Sequence, residues 1–325
     1  QEALVGAEAK IALALEMQNA ELSEAAGAAG AKAHVPVVHS KVRRDLAIPE
    51  PPFWGTKIVN DLSLDEVFKY VNQTALIRGQ WRVLRGSMSE REYQDILDSQ
   101  VHPDYQSLKE KVKSESLLMP QVVYGYFPCQ SDGNELIVYH PPSQNLSDSK
   151  SDIRNSKLAE WLRFTFPRQT DDRHLCIADY FAPVESGKVD VLACHVVTVG
   201  QKASEHSKKL YDANMYKDYL YFHGLSVESA EALAELWHKR IREELGIAGS
   251  DAPQIKRLFS QGYQGSRFSF GYPACPRLED QVRLFELLKP ERIGVFLTEG
   301  YQMEPEQSTS AIIVHHPEAR YFTIK

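Results

Sequence analysis

The 325-residue sequence lacks the signatures of the common catalytic and metal sites. It contains no G-x-G-x-x-G, G-x-x-x-x-G-K-[ST] or H-E-x-x-H pattern, which disfavours the usual dinucleotide, nucleoside-triphosphate and zinc-protease sites. The four cysteines, Cys129, Cys176, Cys194 and Cys275, are too far apart for a C-x-x-C pair, so we predict neither a zinc knuckle nor a thioredoxin-type redox site. None of the eleven histidines has the spacing of a metal site, and we predict no metal ligand among them.

Excess positive charge and long apolar runs are also missing. The formal net charge is -7, which argues against nucleic acid as a partner, because such binding depends on clustered Lys and Arg. The N-terminus has no basic flank with an apolar run, and no stretch is long enough to span a bilayer. We therefore expect a cytoplasmic protein with reduced thiols and no membrane partner. A first residue Gln1 rather than Met is explained most simply by excision from a longer polypeptide.

Composition divides the chain at about residue 45. Residues 1–33 are rich in Ala and Glu and end in Gly and Ala, which favours a helix that loosens into a flexible joint. Four prolines between positions 35 and 55 disfavour helix and predict an extended strap, anchored by Phe53 and Trp54. We expect residues 1–45 to be a linker and residues 46–325 to be one domain.

The rest of the chain mixes helix and strand signals. Capping boxes at Ser63–Glu66 and Ser89–Glu92 predict two helix starts, and an amphipathic pattern predicts a long helix from Ser226 to Leu245. Hairpins are predicted for 122–139 and for 175–199, a further helix for 278–288, and short strands near 295–297, 311–314 and 321–324. Hairpins interleaved with helices predict an α+β fold with an antiparallel sheet.

Residues 263–276 form the most informative segment, YQGSRFSFGYPACP. Gly271 permits close backbone approach to a ligand, two prolines stiffen the path, and Arg267 offers a planar fork that suits a carboxylate. The alternative is a structural turn in which Arg267 pairs with an internal acid and the aromatic residues belong to the core. The spacing alone favours that alternative.

The segment resembles the R-x-x-x-G-Y-x-x-C-P stretch of the activation domain of cobalamin-dependent methionine synthases. The resemblance extends from about residue 46 to the C-terminus, through Pro52–Gly55, the 226–245 helix, Leu297–Glu299 and the HPEARYF run that ends at Phe322. It implies a C-shaped α+β domain with a central antiparallel sheet flanked by helices, which binds S-adenosylmethionine in a shallow groove.

The resemblance also implies roles for individual residues. By position, Arg267 would hold the methionine carboxylate of the ligand, and the backbone of residues 270–274 would meet its polar groups. Tyr272 would face the corrin, and the aromatic pair near the C-terminus would line the ligand site. The residues implied by position in the segment and the pair are Phe270, Gly271, Tyr272, Ala274, Tyr321 and Phe322.

Two further positions carry open alternatives. Asn72 stands where the family has an acid facing the ligand's ammonium, and the loss of a charge-assisted contact would cost about 1 kcal/mol or more. Asn72 is explained nearly as well as a helix C-terminal residue that satisfies backbone carbonyls. Glu231 falls where the family helix has an acid near the cofactor, and a solvated helix carboxylate explains it almost as well.

The implied function is reactivation of a methyltransferase. In the family, this domain caps the corrin while flavodoxin supplies an electron and S-adenosylmethionine supplies the methyl group. A D-x-H-x-x-G pattern is absent, so we expect cobalamin to be held by a partner domain rather than by this chain. The isolated domain would be inactive alone, and no catalytic residue is assigned because methyl transfer here requires positioning rather than an acid or base. The alternative function is a regulatory module that senses S-adenosylmethionine without turnover.

Overall fold

The computed structural model describes residues 40–141 and 158–324. The helical part of the predicted linker therefore lies outside the described residues. Residues 40–54, which include most of the predicted strap, form neither helix nor strand. The ring of Phe53 packs edge-on against Tyr124 and Tyr126, with ring centroids 5.5 and 5.0 Å away.

The described residues form helices and strands in alternating groups. The strands are β1 Gly55–Val59, β2 Gln121–Asp132, β3 Glu135–Tyr139, β4 Glu160–Thr165, β5 Asp190–Thr198, β6 Ser266–Phe268, β7 Phe296–Leu297, β8 Met303–Glu304 and β9 Ser308–Val314. The α-helices are α1 Leu64–Phe68, α2 Glu90–Ile96, α3 His102–Ser114, α4 Gln201–Asp212, α5 Tyr216–Glu244, α6 Ile255–Leu258 and α7 Gln281–Leu288. Two π-helical segments, Ala75–Gln80 and Leu97–Val101, adjoin these helices.

The main sheet is antiparallel and has the order β4-β3-β2-β5-β9-β6, with β1 paired to β2. Strand β2 is long enough to pair with β1 along residues 122–126 and with β3 along residues 129–132. The predicted hairpin at 122–139 is thus confirmed, as is the α+β class with an antiparallel sheet. Strand β6 ends the sheet and pairs with β9.

Apolar side chains on the two faces of the sheet form two separate cores. Along β5, Val191, Ala193 and Val197 belong to the core under α5, while Leu192 and Cys194 belong to the core on the opposite face. This alternation follows from the two-residue period of a strand. Helices cover both faces, so β5 is buried along its whole length.

The long helix begins ten residues earlier than the sequence pattern predicted. Helix α5 starts at Tyr216, and Ser226 lies inside it rather than at its N-terminus. The Ser226 hydroxyl donates to the carbonyl of His223 at 2.8 Å, which satisfies the hydroxyl within the helix. Buried Phe222 and Leu225 precede Ser226 and extend the apolar face toward the N-terminus.

Two predicted strands are wrong. The segment predicted as the first strand of the 175–199 hairpin contains instead a 3-10 helix, Ile177–Tyr180, which turns the Asp179 carboxylate inward. Residues 321–324 are extended but join no ladder; the amide of Ile324 donates to the carbonyl of Pro273 at 3.1 Å. The β-branched and aromatic residues of these two segments predicted strands, but tertiary contacts hold both segments in other conformations.

Only one of the two predicted capping boxes is complete. Ser89 and Glu92 bond reciprocally at the start of α2. Ser63 caps α1 by accepting from the amide of Asp65, but the reciprocal bond is missing because Glu66 pairs with Arg240 of α5 at 2.8 Å.

Asp179 fastens the strap to the domain through Ser40, Arg44 and Arg168, and these four residues are called here the strap anchor. The amide and hydroxyl of Ser40 donate to Oδ2 of Asp179 at 3.1 and 2.7 Å. Arg44 and Arg168 donate to Oδ1 at 2.8 and 2.9 Å, and Arg168 also bonds Oδ2. A buried carboxylate thus joins two distant parts of the chain.

Candidate functional site

A groove opens between helix α5, the turn after α1 and the edge strand β6. It has a volume of about 280 Å³ and is called here the acidic groove. Its lining residues are Tyr70, Asn72, Ala75, Glu228, Glu231, Ala232, Glu235, Phe259 and Arg267. Three of the residues predicted from the sequence, Arg267, Asn72 and Glu231, therefore meet at one site.

Arg267 reaches the groove because of its register on β6. It pairs with Ile313 of β9, while its neighbour Phe268 pairs with Ile312 and is fully buried in the core on the other face. Since alternate residues of a strand point to opposite faces, the Arg267 side chain lies on the face covered by α5. Its exposed fraction is 24%.

Helix α5 supplies three carboxylates to this groove. Glu228, Glu231 and Glu235 are spaced three and four residues apart and so share one face of the helix. Glu231 is half-exposed, whereas the side chain of Glu235 is only 7% exposed. Glu228 is also buried. Glu228 and Glu235 were not predicted as site residues, although their spacing from Glu231 in a predicted helix could have identified them.

The arginine and the acids are close but not hydrogen-bonded. Nη1 of Arg267 lies 3.3 Å from Oε2 of Glu235, and Nη2 lies 3.5 Å from Oε2 of Glu231. These distances exceed the 2.7–2.9 Å typical of a charge-assisted bond by about half an ångström. Within the described part of the chain, Nη1 of Arg267 and Oε1 of Glu235 are buried without a hydrogen-bond partner. The groove thus retains unused donor and acceptor capacity.

The predicted alternative for Arg267, pairing with an internal acid, is partly present in the structure. Burial raises the pKa of Glu235, and the nearby Arg267 only partly offsets this effect. Burial by itself would lower the pKa of Arg267, but Glu235 and Glu231 outweigh it and raise that pKa. The guanidinium therefore carries its charge beside an acid and also borders an open groove.

Asn72 lies in the turn that leads into the first π-helical segment. Its Oδ1 accepts a hydrogen bond from the amide of Ala75 at 3.2 Å, and its carbonyl accepts from Leu76 at 2.9 Å. The structural role predicted for Asn72, satisfying carbonyls at a helix C-terminus, is therefore wrong, because its oxygens accept from amides at the start of the π-helical segment. Asn72 also lines the groove.

The segment after Arg267 forms a tight turn. The amide of Gly271 donates to the carbonyl of Cys275 at 3.0 Å, and the amide of Cys275 donates to the carbonyl of Tyr272 at 2.9 Å. Gly271 has a φ of +85°, which other residues rarely adopt. Phe270 and Ala274 are buried, while Tyr272 is 58% exposed.

The C-terminal aromatic pair is divided between surface and core. Tyr321 is 43% exposed, and its ring stacks on Phe268 with centroids 6.1 Å apart. Phe322 is 4% exposed and belongs to the core. The phenol of Tyr272 is near enough to contribute to the raised pKa of both Arg267 and Tyr321. Tyr321 thus covers Phe268 at the edge strand that also carries Arg267.

Two buried histidines stand behind the groove. His195 on β5 and His238 on α5 are fully buried, and neither ring nitrogen of either residue has a hydrogen-bond partner among residues 40–141 and 158–324. Burial, with a smaller effect of Arg267, lowers the pKa of His195 to about 3. Both rings are therefore neutral at neutral pH and add no positive charge to that of the Arg267 guanidinium.

Among the described residues, no three or more His, Cys, Asp or Glu side chains are grouped so that they could hold a metal ion. In the same part of the chain, none of the helices has the length and apolar character required to cross a membrane.

The fold and the groove define an α+β domain built on a seven-stranded antiparallel sheet, with a charged groove at the sheet edge. Residues 63–325 match the family model described as "Vitamin B12 dependent methionine synthase, activation domain". The chain belongs to this family of activation domains.

Curated relatives and a solved structure agree with this assignment. The chain is 42% identical over 298 residues to methionine synthase of Mycobacterium tuberculosis and 40% identical over 293 residues to that of Mycobacterium leprae. These alignments cover 88% and 86% of the chain but 24% and 23% of the relatives, so the chain spans about a quarter of their length. The crystal structure of a MetH reactivation domain bound to AdoHcy superposes with a TM-score of 0.73 at 26% identity, covering 86% of this chain and 84% of that one.

Proposed function

We propose that this chain binds S-adenosylmethionine in the acidic groove and serves as the reactivation module of a cobalamin-dependent methionine synthase. The observation that carries the proposal is Arg267, whose guanidinium borders the groove with hydrogen-bonding capacity unused. The structurally similar reactivation domain was crystallised with AdoHcy, the demethylated form of the same ligand.

The chemistry of the ligand suits the groove. S-adenosylmethionine has a carboxylate, an ammonium and a sulfonium. Arg267 can bind the carboxylate, Glu231 and Asn72 can accept from the ammonium, and the exposed rings of Tyr272 and Tyr321 offer faces beside a cation or adenine. The groove alone is smaller than the whole ligand, so the adenosine would extend onto these two rings and the backbone of residues 270–274.

The remaining parts of the reaction belong outside this chain. We propose that residues 46–325 form the binding domain and residues 1–45 link it to a cobalamin-binding domain of the same polypeptide. When bound there, cobalamin would supply the nucleophile that accepts the methyl group. Flavodoxin or a similar donor would supply the electron, in the cytoplasm. Tyr272, exposed beside Arg267, would face the corrin.

Calorimetric titration of the chain with S-adenosylmethionine tests the binding. We expect saturable binding at one site; absence of binding would overturn the proposal. Addition of a cobalamin-binding domain, a reductant and S-adenosylmethionine should then produce the absorption spectrum of methylcobalamin. Binding without this spectrum would instead identify a module that senses the ligand without turnover.

A further inference from the structure

The charges that line the acidic groove do not balance. Glu228, Glu231 and Glu235 face a single cation, Arg267, which leaves a formal excess of two negative charges when all four groups are ionised. Arg267 lies near Glu231 and Glu235, but Glu228 has no ion pair within the described ranges. Its nearest polar contact is weak, with Nε2 of Gln80 3.4 Å from its Oε1.

Close helix packing fixes Glu228 in this position. Gly224 lies one turn before Glu228 on α5, and a Cβ there would come within 2.8 Å of Cβ of Gln80. The missing side chain lets the first π-helical segment approach α5, which places Gln80 against Glu228. Glu228 is 8% exposed, so its carboxylate is held and largely removed from water.

Glu228 is also displaced along the helix from the arginine. It precedes Glu231 by three residues, which corresponds to about 4.5 Å along the axis. In S-adenosylmethionine the sulfonium is separated from the carboxylate by three carbon atoms, a similar span. A ligand whose carboxylate binds Arg267 can therefore place its sulfonium toward Glu228.

We propose that the acidic groove selects its ligand by charge and that Glu228 is the specificity-determining carboxylate, favouring a cationic sulfonium over a neutral thioether. This inference rests on the proposed function. S-adenosylmethionine has a net charge of +1, whereas S-adenosylhomocysteine, the product after methyl donation, is neutral overall. The same acid that attracts the methyl donor would thus favour release of the product.

Burial supports this role for Glu228. Burial and the charge of Glu231 raise the pKa of Glu228 against the opposing effect of Gln80. A desolvated carboxylate without a cation is costly to the protein, and a ligand that brings a positive charge relieves that cost. A neutral thioether brings none.

Calorimetry with both ligands on the wild type, Glu228→Gln and Glu205→Gln tests the proposal. Glu205 is an exposed acid on α4, so its substitution makes the same change in net charge away from the groove. We expect Glu228→Gln to weaken S-adenosylmethionine about tenfold, the worth of one charge-assisted contact, and to leave S-adenosylhomocysteine within about twofold. Glu205→Gln should change neither affinity. Equal weakening of both ligands by Glu228→Gln would overturn the proposal.

A measurement on the wild type alone keeps the test independent of the folding of a variant. An analogue with an ammonium-bearing carbon in place of the sulfonium should bind about as well as S-adenosylmethionine, and both should bind at least tenfold more tightly than S-adenosylhomocysteine. Equal affinity for all three would contradict selection by charge and leave the proposed function standing. Failure of all three to bind would overturn both.

Discussion

Two sets of buried arginine and carboxylate groups in this domain are built differently. In the strap anchor, the Asp179 carboxylate receives hydrogen bonds from Ser40, Arg44 and Arg168. Arg168 also donates to Oδ1 of Asn134 and to the carbonyl of His174, each at 2.8 Å. In the acidic groove, the nearest arginine–carboxylate distances are 3.3 and 3.5 Å, and buried polar atoms remain without partners.

We infer from this difference that the strap anchor stabilises the fold and that the acidic groove is a ligand site. A buried ion pair stabilises a fold only when its geometry is good and its other hydrogen bonds are satisfied. The strap anchor meets that condition, so we assign it to joining the strap and the sheet. The groove does not meet it, and an incompletely satisfied charge cluster beside an open cavity is typical of a ligand site.

The largest expected effect is on the strap anchor. Asp179→Ala should lower the free energy of unfolding by about 3–5 kcal/mol, because it leaves the buried Arg168 without its carboxylate. Urea denaturation measures the change. Asp212→Ala, which removes an exposed acid paired with exposed Lys208, is the control and should stay within about 0.5 kcal/mol. A loss below about 1 kcal/mol for Asp179→Ala would show that the anchor is not structural.

Acid should lower the free energy of unfolding in two different pH ranges, one set by His195 behind the groove and one by the strap anchor. His195 has a folded pKa of about 3 against an ordinary value of 6.5, so the unfolded state binds the extra proton between these values. Stability should therefore fall as pH drops below about 6.5, by up to about 1.4 kcal/mol per pH unit for this group. His195→Phe should flatten the decline.

The strap anchor should respond only at lower pH. Burial acts to raise the pKa of Asp179, but the bonds from Arg168 and Ser40 outweigh it and hold that pKa below the ordinary 3.8. Its contribution is fully present above that value and is lost as pH falls through the folded pKa. Urea denaturation of the wild type and Asp179→Ala across pH 3–7 checks this. If the difference between them already shrinks near pH 6, the assignment of the two ranges is wrong.

A smaller effect is expected from Glu235→Gln. Removing the charge eliminates a desolvated carboxylate whose partner is not hydrogen-bonded, so the free energy of unfolding should change by less than about 1 kcal/mol. Urea denaturation of Glu235→Gln and of Asp179→Ala allows the two changes in the free energy of unfolding to be compared directly. A loss as large as that of the anchor would remove the distinction between the two regions.

The smallest effect is expected at Asn72. Asn72→Asp adds an acid near the proposed position of the ligand's ammonium, while an oxygen remains to accept from the amide of Ala75. Calorimetry should show unchanged or tighter binding of S-adenosylmethionine, by no more than about tenfold. A large loss of affinity would mean that the ammonium lies elsewhere.

Local signals predicted the parts of this domain that local chemistry determines. The turn at 131–134 between two β-rich runs located the hairpin of β2 and β3, and the Ser89–Glu92 pattern located the start of α2. The start at Ser226 was wrong because a serine inside a helix can bond to its own backbone. The strand expected at 175–182 was wrong because Asp179 is held by residues as distant as Ser40.

The candidate site was predicted in part, by the family resemblance rather than by local signals. The spacing around Arg267 favoured a structural turn, and the resemblance pointed to Arg267, Asn72 and Glu231, which all line the groove. Glu228 and Glu235 were missed, since an acid on a helix is ordinarily solvated. Only the packing of α5 against β6 and the first π-helical segment shows that these two are buried.

Calorimetric titration of Arg267→Ala with S-adenosylmethionine tests the central claim most directly. The variant should keep the circular dichroism spectrum of the wild type, because the guanidinium is hydrogen-bonded to neither acid. Loss of its bond to the ligand carboxylate should weaken binding by at least about a hundredfold, or abolish it. Wild-type affinity in a folded Arg267→Ala protein would contradict the account.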